Sequence, residues 1–435
     1  MNPRPRIGIV VWGSLGDLHP FLAVALRLSA MGFEPVIATH EDYRSKVEAE
    51  GLRFHAVRPS FTEIERAFGA DRAAVTRRLL ERPMSLFETA ILPFLRQSFD
   101  DVSELLNDTR WLVTCSPAIG ARLAAEARGV PWLAGVLQPM MFLSAHDPPA
   151  LPPLEWLEPW LRRAGPRTTR LALAGVRAAV RRIARPAHLL RQELGLPAKA
   201  ADPIFGGQFS DEGALALYSP LIGALQPDMP AGTTVTGFPF YDSEYGRSSD
   251  LDPAIRRFLD AGSPPVIFTL GSSFVHSPGA FYRDSAAAAQ QLGQRAILLV
   301  GEVGYTEFAP LATPELHVAT YAPYSALFPL AAAIIHQGGI GTLGQALRSG
   351  RPQLIVPFFG DQPDNAARAA HLGVARVLRR KGYSIQRASR SLASLLNDPR
   401  YLERARAVAL AMAGEDGAGA AATRIRDWIQ SRGGA

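Results

Sequence analysis

The feature that most constrains this chain is a repeated unit: a short run of β-branched and apolar residues, a glycine turn, and an amphipathic segment. Its first copy occupies residues 6–12, with a turn at 13–17 and a helix predicted over 20–31, and a second apolar run follows at 35–39. Such a unit predicts two parallel strands joined by a right-handed crossover. Because ligands bind at the carboxyl ends of parallel strands, the turn at 13–17 is a candidate site.

The same pattern returns in the second half of the chain. An apolar run at 266–270 is followed by the turn 271–273, a helix predicted over 280–292 and a further apolar run at 296–300. Alternation of strands and helices of this kind is typical of doubly wound α/β domains.

The length of the chain sets the number of domains. With 435 residues it is too long for one hydrophobic core, which stops growing at roughly 250–300 residues. We therefore predict two Rossmann-like doubly wound parallel-sheet domains, at residues 1–245 and 246–415. A final helix in 416–435 would pack back onto the first domain.

Composition and charge exclude several classes of protein. Hydrophobic residues make up 47% of the chain and charged residues 20%, unlike a disordered protein. The net charge of +6 lacks the density of a dedicated nucleic-acid binder, and no apolar stretch approaches the roughly 20 residues that span a bilayer. We expect a cytoplasmic protein without a nucleic-acid partner.

Residues 160–191 are unusual because they contain nine arginines and no acidic residue. One interpretation is a basic helical face that makes peripheral contact with anionic lipid. The other is a solvated surface helix whose arginine stems cover apolar surface.

The most informative stretch lies between His336 and Leu343, where a glycine-rich turn follows a buried strand and opens a helix. The glycines let a phosphate approach the backbone, and the helix N-terminus offers N–H groups and partial positive charge to a diphosphate. Thr342 would add a hydroxyl and His336 a donor. Alone, such a turn is also consistent with a tight connection capped by a threonine.

The continuation of this motif makes the pattern specific. Gly350-x-Pro352 is followed by a strand ending at Pro357, by the run Gly360-Asp361-Gln362, and by Asn365-Ala366. Residues 321–373 resemble the donor-binding signature of the family 1 glycosyltransferases, the UDP-glycosyltransferase superfamily, and are similar to the bacterial rhamnosyltransferases and the sterol and antibiotic types. The resemblance implies the GT-B fold of two facing Rossmann-like domains. It also implies metal-independent, inverting transfer of a hexose from a UDP- or dTDP-sugar to an acceptor hydroxyl.

The resemblance assigns donor-binding roles position by position. Tyr321 matches the aromatic residue that stacks on the nucleotide base, His336 matches the diphosphate contact, and Asp361 with Gln362 matches the pair that binds the sugar hydroxyls. Each also has a plain structural alternative, such as helix capping for the Asp361 pair. The remaining donor-site candidates are glycines and hydroxyl residues near the phosphates: Gly16, Ser272, Ser273, Gly338, Gly339, Gly341 and Thr342.

The reaction needs a general base for the acceptor hydroxyl, and the first turn offers Asp17 and His19. Asp17 stands three residues before Pro20, which matches the place of the catalytic histidine in many relatives and of the aspartate in the sterol and antibiotic types. We therefore predict Asp17, although His19 has the better unperturbed pKa. Helix capping is the structural alternative for Asp17, and packing beside Pro20 is the alternative for His19.

Donor and acceptor identity stay open. Gly344 stands where plant members carry a glutamate that holds the ribose hydroxyls, which favours dTDP-sugars slightly. For the acceptor, an apolar wall for a lipid, polyketide, terpenoid or phenolic alcohol is predicted around Met140, Met141, Phe142 and His146. The same run could equally be plain core.

Several other motifs resemble metal or dinucleotide sites but do not match them fully. Asp250-Leu251-Asp252 has the form of a metal-nucleotide motif, but Asp252-Pro253 fits a helix N-cap followed by a first-turn proline. The spacing of the histidines favours no metal site, and Gly13-x-x-Gly16 lacks the middle glycine of the dinucleotide fingerprint. Two rival functions remain: a nucleotide-sugar epimerase on the same fold, and a non-catalytic auxiliary protein.

Overall fold

The computed structural model describes residues 4–79, 84–199, 201–242 and 250–433. The chain divides into two compact units. Unit 1 combines Met1–Tyr241 with Glu415–Ala435, and unit 2 is Asp242–Gly414. The predicted boundary between residues 245 and 246 lies outside the described residues.

Unit 1 is built on a parallel sheet that has seven strands in the described residues, in the order β3-β2-β1-β4-β5-β6-β7. The order reverses between β1 and β4, which pair with Ile7 opposite Trp111. The carboxyl ends of β1 and β4 therefore form the switch point at which α/β proteins bind ligands. The strands are β1 (Arg6–Val10), β2 (Glu34–Thr39), β3 (Arg53–Ala56), β4 (Trp111–Cys115), β5 (Trp132–Val136), β6 (Ala214–Ala216) and β7 (Thr234–Val235).

The helices of unit 1 lie between these strands and after unit 2. They are α1 (Leu15–Ala30), α2 (Arg44–Ala49), α3 (Phe61–Phe68), α4 (Arg72–Leu79), α5 (Leu95–Leu105), α6 (Ile119–Arg128), α7 (Glu158–Ala164), α8 (Pro166–Ile183), α9 (Arg185–Glu193) and α19 (Gly417–Ser431).

The first helix begins earlier than the sequence predicts. Helix α1 begins at Leu15 because Ser14 caps it, and the predicted first residue, Pro20, lies inside the helix. Asp17 and His19 are therefore helical residues of the first two turns and do not belong to a loop.

Unit 2 contains a second parallel sheet, with six strands in the residues described, in the order β10-β9-β8-β11-β12-β13. Its switch point lies between β8 and β11, which pair with His336 opposite Thr269. The strands are β8 (Val266–Thr269), β9 (Ala296–Leu299), β10 (Leu316–Ala319), β11 (Ala333–His336), β12 (Gln353–Ile355) and β13 (Ala375–Val377).

The helices of unit 2 alternate with these strands. They are α10 (Pro253–Asp260), α11 (Gly271–Phe274), α12 (Phe281–Gln291), α13 (Gly301–Phe308), α14 (Tyr324–Leu327), α15 (Ile340–Arg348), α16 (Gln362–His371), α17 (Ile385–Asn397) and α18 (Pro399–Met412). The predicted turn at 271–273 is the short helix α11. The core includes the buried side chains of Ile267, Ile297, Phe328 and Ile334.

The last helix, α19, packs on α1 of unit 1. The ring of Trp428 meets that of Trp111 edge-on at 5.2 Å, and its indole N–H donates to Glu212 at 2.8 Å. The chain thus returns to its first unit after completing the second. Within the part of the chain that the structure describes, no helix is both long and apolar enough to cross a membrane.

Candidate active site

The glycine loop of unit 2 connects β11 to α15. Gly339 caps α15, so the N–H groups of the first helical turn point toward the loop. Gly338 has φ +88°, and a Cβ there would lie 2.8 Å from Ile355. A glycine is required because both the backbone conformation and the close packing exclude a side chain.

His336 is fully buried at the end of β11. Its Nδ1 accepts from the Gly338 N–H at 3.0 Å, so Nε2 carries the proton and donates to Gln353 Oε1 at 2.9 Å. Burial lowers the pKa of His336 to about 4, which keeps the ring neutral near pH 7. The expectation that His336 donates to a diphosphate is corrected here, because both ring nitrogens are already engaged. The histidine instead holds the glycine loop in shape.

The neighbouring Gln337 is a site residue that sequence reasoning missed. Its amide nitrogen lies beside Gly339 and Gly271, and a Cβ on either glycine would come within 2.9 Å or less of that nitrogen. The side chain is 4% exposed, and its Oε1 finds no hydrogen-bond partner among the described residues. Strand alternation was the available signal, because consecutive residues at a strand end point to opposite sides.

A second loop, between β12 and α16, closes against the first. Asp361 occupies the N-cap position of α16, and Gln362 Oε1 accepts from the Phe358 N–H at 2.7 Å. The Asn365 amide donates both to the Gly338 carbonyl at 2.9 Å and to Asp361 Oδ2 at 2.6 Å. Asn365 is fully buried and ties the glycine loop to the Asp361 carboxylate.

Hydroxyl groups connect strand β8 of unit 2 to helices α14 and α15. The Tyr324 hydroxyl lies 2.8 Å from Thr269 Oγ1 and also hydrogen-bonds Thr342 on α15. Ser272 is half-buried on α11, while the side chain of Ser273 lies outside the described residues. Gly341 is half-buried in the first turn of α15.

Tyr321 follows β10 in a loop, and 53% of its surface is exposed. Stacking of this residue on a nucleotide base stays a prediction.

The position predicted to lack a ribose-binding carboxylate is Gly344, a buried residue of α15. The next residue, Gln345, donates to Asp242 at 3.1 Å, and Arg348 donates to the same carboxylate at 2.8 Å. Burial would raise the pKa of Asp242, but the Arg348 guanidinium holds it below its ordinary value. Gln345 is therefore part of an ion-pair network on α15.

In unit 1, Asp17 forms a capping box with Ser14 at the start of α1. The backbone N–H and hydroxyl of Ser14 both donate to Asp17 Oδ2, at 2.8 and 3.0 Å. A Cβ on Gly13 would lie only 2.4 Å from Oδ2, so glycine allows the carboxyl to fold against the loop. Burial raises the pKa of Asp17, and the Ser14 bonds oppose that rise. Gly16, half-buried, lies in the same helical turn.

His19 lies in a different environment. Its ring packs on Tyr241 with centroids 4.7 Å apart, and burial together with the nearby Lys46 charge lowers its pKa to about 3. The ring is neutral near pH 7 and is a weak base.

Four rings form an aromatic cluster near the carboxyl ends of β1 and β2, where His40 and Tyr43 hydrogen-bond the Gly13 backbone: Trp12, His40, Tyr43 and Phe61. His40 meets Trp12 at 5.2 Å and Phe61 at 5.0 Å, and Tyr43 meets Phe61 at 5.6 Å. Trp12 and Phe61 are half-buried, and the buried indole N–H of Trp12 has no partner among the residues described. Sequence reasoning missed this cluster because its members come from three separate segments.

The predicted acceptor wall is largely core. Met140 and Phe142 are 8% and 6% exposed, and Phe142 stacks on Phe209 at 5.3 Å. Met141 is half-buried and His146 is exposed. The expectation of an apolar wall is corrected for Met140 and Phe142, because both side chains are buried and Phe142 is stacked on Phe209.

The Asp250-x-Asp252 motif is a helix start. The Asp252 side chain accepts from the Ala254 N–H at 2.7 Å at the N-terminus of α10, which confirms the capping interpretation. Across the described residues, no group of three or more histidine, cysteine or acidic side chains could hold a metal ion.

Comparisons with known proteins match both the C-terminal part of the chain and its full length. Residues 299–425 match the family described as erythromycin biosynthesis protein CIII-like, C-terminal domain. Over 448 residues the chain is 30% identical to O-mycaminosyltylonolide 6-deoxyallosyltransferase of Streptomyces fradiae, with 98% of both chains covered. The chain belongs to the family 1 glycosyltransferases. It is a nucleotide-sugar-dependent transferase.

Other members of the family are similar over the same length. Sterol 3-beta-glucosyltransferase of Emericella nidulans is 28% identical over 433 residues, or 97% of this chain, which spans only 30% of that relative. The crystal structure of glycosyltransferase VinC in complex with dTDP matches with a TM-score of 0.68 at 18% identity, covering 98% of this chain and all of that one. This likeness shows the GT-B fold that the sequence predicts.

Proposed function

We propose that this glycosyltransferase moves a hexose from a dTDP- or UDP-sugar onto a hydroxyl of a lipophilic acceptor, with inversion at the anomeric carbon. The observation that carries the proposal is the junction of two loops in unit 2, where Asn365 ties Gly338 to Asp361 at the starts of α15 and α16. A helix N-terminus with a glycine approach suits a diphosphate, and an adjacent carboxylate suits sugar hydroxyls.

Unit 2 binds the donor in this proposal. The first N–H groups of α15 and the Gln337 amide contact the diphosphate, and Asp361 with Gln362 binds the hexose hydroxyls. Tyr321 stacks on the base. The absence of a carboxylate at Gly344 favours dTDP over UDP, and the dTDP complex of VinC supports the same preference.

Unit 1 binds the acceptor and supplies the base. Asp17 takes the proton of the acceptor hydroxyl, whose oxygen attacks the anomeric carbon from the face opposite the diphosphate. The carbon–oxygen bond to the diphosphate breaks, and the departing group keeps the electron pair. The N-terminus of α15 stabilises the negative charge that develops there.

The acceptor is an apolar alcohol in this proposal. Trp12 and Phe61 offer half-buried aromatic surface in the same unit as Asp17, and the Trp12 indole N–H offers a donor to an acceptor oxygen. The names of two relatives support this class, since one names O-mycaminosyltylonolide and the other a sterol.

The test is a matrix of dTDP- and UDP-hexoses against macrolide, sterol and phenolic alcohols. Product is measured by mass spectrometry together with released nucleoside diphosphate. We expect glycosylated alcohol and an equal amount of diphosphate, with the β-linked product from an α-linked donor. Conversion of the donor in the absence of an acceptor would favour the epimerase. If the protein binds none of the sugar nucleotides, the auxiliary protein would be favoured.

A further inference from the structure

The surface that the proposed reaction leaves unexplained is formed by α7, α8 and α9 of unit 1. Seven of the nine arginines in residues 160–191 are exposed, while Arg177 is half-buried and Arg191 is buried in an ion pair with Glu126. The exposed arginines, which we call the arginine face, are Arg162, Arg163, Arg167, Arg170, Arg181, Arg182 and Arg185.

Helix α8 has one buried side and one exposed side. The buried side carries Thr169, Leu173 and Val180. The opposite stripe follows helical spacing from Arg167 through Leu171 to Arg182, and Ala174 and Ala178 between them are also exposed. The outer side of this helix is therefore cationic. Small exposed residues, Ala174 and Ala178, lie between its arginines.

Large apolar side chains are exposed on the same three-helix segment and just before it. Leu171 is 77% exposed, Trp160 on α7 is 55% exposed, and Trp156 is 62% exposed. Helices α7 and α8 pack on each other and are joined only by Gly165. Exposed tryptophan beside arginine is typical of protein surfaces that lie at a membrane interface.

We propose that the arginine face docks this enzyme peripherally onto an anionic phospholipid bilayer. Guanidinium groups of the arginine face pair with lipid phosphates, and Trp156, Trp160 and Leu171 enter the headgroup layer. Arg162 is the exception, because it pairs with Glu158 and Asp147 within the protein. The exposed apolar side chains favour a bilayer over a nucleic acid, because phosphate backbone contacts alone would leave them unused. This proposal depends on neither the donor nor the acceptor assigned above.

The experiment is co-sedimentation of the full-length protein with vesicles. Phosphatidylcholine vesicles with and without phosphatidylglycerol are compared, and the salt concentration is raised from about 0.1 M to about 1 M, which shortens the screening length from about 10 Å to about 3 Å. We expect binding to the anionic vesicles alone and its loss at high salt.

Two triple variants distinguish the effect of the arginine face on vesicle binding from the effect of the protein's net charge. Arg167→Gln, Arg170→Gln and Arg182→Gln together should weaken vesicle binding about 100-fold, since each arginine contributes about fivefold. The control replaces the exposed Arg256, Arg390 and Arg404 of unit 2 with glutamine and makes the same change in net charge. It should leave binding within about twofold.

A third variant, Trp156→Ser with Trp160→Ser, should also weaken vesicle binding while leaving the thermal unfolding midpoint unchanged, because both rings are exposed. Duplex DNA serves as a competing polyanion. Equal weakening by the unit 2 control, failure of the wild-type protein to sediment with anionic vesicles, or arginine-dependent binding to DNA without binding to vesicles would each overturn the proposal.

Discussion

At the scale of single residues, Asp17 and His19 differ by what surrounds them. The Asp17 carboxyl accepts two hydrogen bonds from Ser14 through Oδ2, and these bonds hold it at the start of α1. The His19 ring packs on Tyr241, and its pKa of about 3 makes it a poor acceptor of protons. The geometry therefore favours Asp17 as the base.

The first prediction concerns pH. A raised pKa means that Asp17 is protonated at acidic pH and becomes an active base as the pH rises through that pKa. Ser14→Ala removes the hydroxyl that lowers the pKa, so the acid limb of log(kcat/KM) should move to higher pH. Ser60→Ala is the matched control, because Ser60 caps α3 in the same kind of capping box. An acid limb that stays in place, or moves to lower pH, contradicts this role.

A second prediction tests the assignment of Gln337 in place of His336. Gln337→Ala should raise the KM for the sugar nucleotide about tenfold, as expected for one lost hydrogen bond to a charged group. The exposed Gln430 is the control for loss of a glutamine side chain. A donor KM that Gln337→Ala leaves unchanged would remove this residue from the diphosphate site.

At the scale of elements, Asn365 joins two loops that separate strands and helices bring to the same sheet edge. Asn365→Asp keeps the shape of the side chain but removes the amide N–H donors and faces the Asp361 carboxylate with a second charge. We expect the donor KM to rise tenfold or more and unit 2 to lose about 1–3 kcal/mol of stability. The exposed Asn397→Asp should change neither. Steady-state kinetics with denaturant unfolding checks both, and an unchanged donor KM in Asn365→Asp would contradict the positioning role.

The sequence predicts the strands well, because buried parallel strands are continuous apolar runs that end at a turn. It misplaces the start of α1, since Pro20 resembles a helix start while the helix begins five residues earlier, at Leu15, after the N-cap Ser14. It leaves Met140 and Phe142 either in a ligand wall or in the core. Phe142 stacks on Phe209, which lies far away in the chain, so no local pattern could reveal this packing.

The orientation of the His336 ring is a second feature that could not be predicted from the sequence. The motif identifies a histidine at the end of β11 but not its partners. Gln353, whose Oε1 accepts the hydrogen bond from His336 Nε2, lies on the neighbouring strand β12. Only the pairing of the two strands brings them together.

At the scale of the whole molecule, the chain returns from unit 2 to complete unit 1. Trp428→Ala removes a buried ring that packs on Trp111 and bonds Glu212, so we expect a loss of about 3–5 kcal/mol from unit 1. Trp160→Ala, which removes a largely exposed ring, should cost much less. Thermal unfolding compares the two variants, and equal midpoints would show that α19 contributes little to unit 1.

The central claim is that unit 1 supplies the base and unit 2 binds the donor. The most direct measurement pairs the turnover of Asp17→Asn with its dTDP affinity by calorimetry, using Asp108→Asn, an exposed carboxylate of unit 1, as the control. We predict that turnover falls by about a thousandfold in Asp17→Asn while its dTDP affinity stays within about twofold of wild type. Turnover near the wild-type value, or loss of dTDP binding together with activity, would contradict the account.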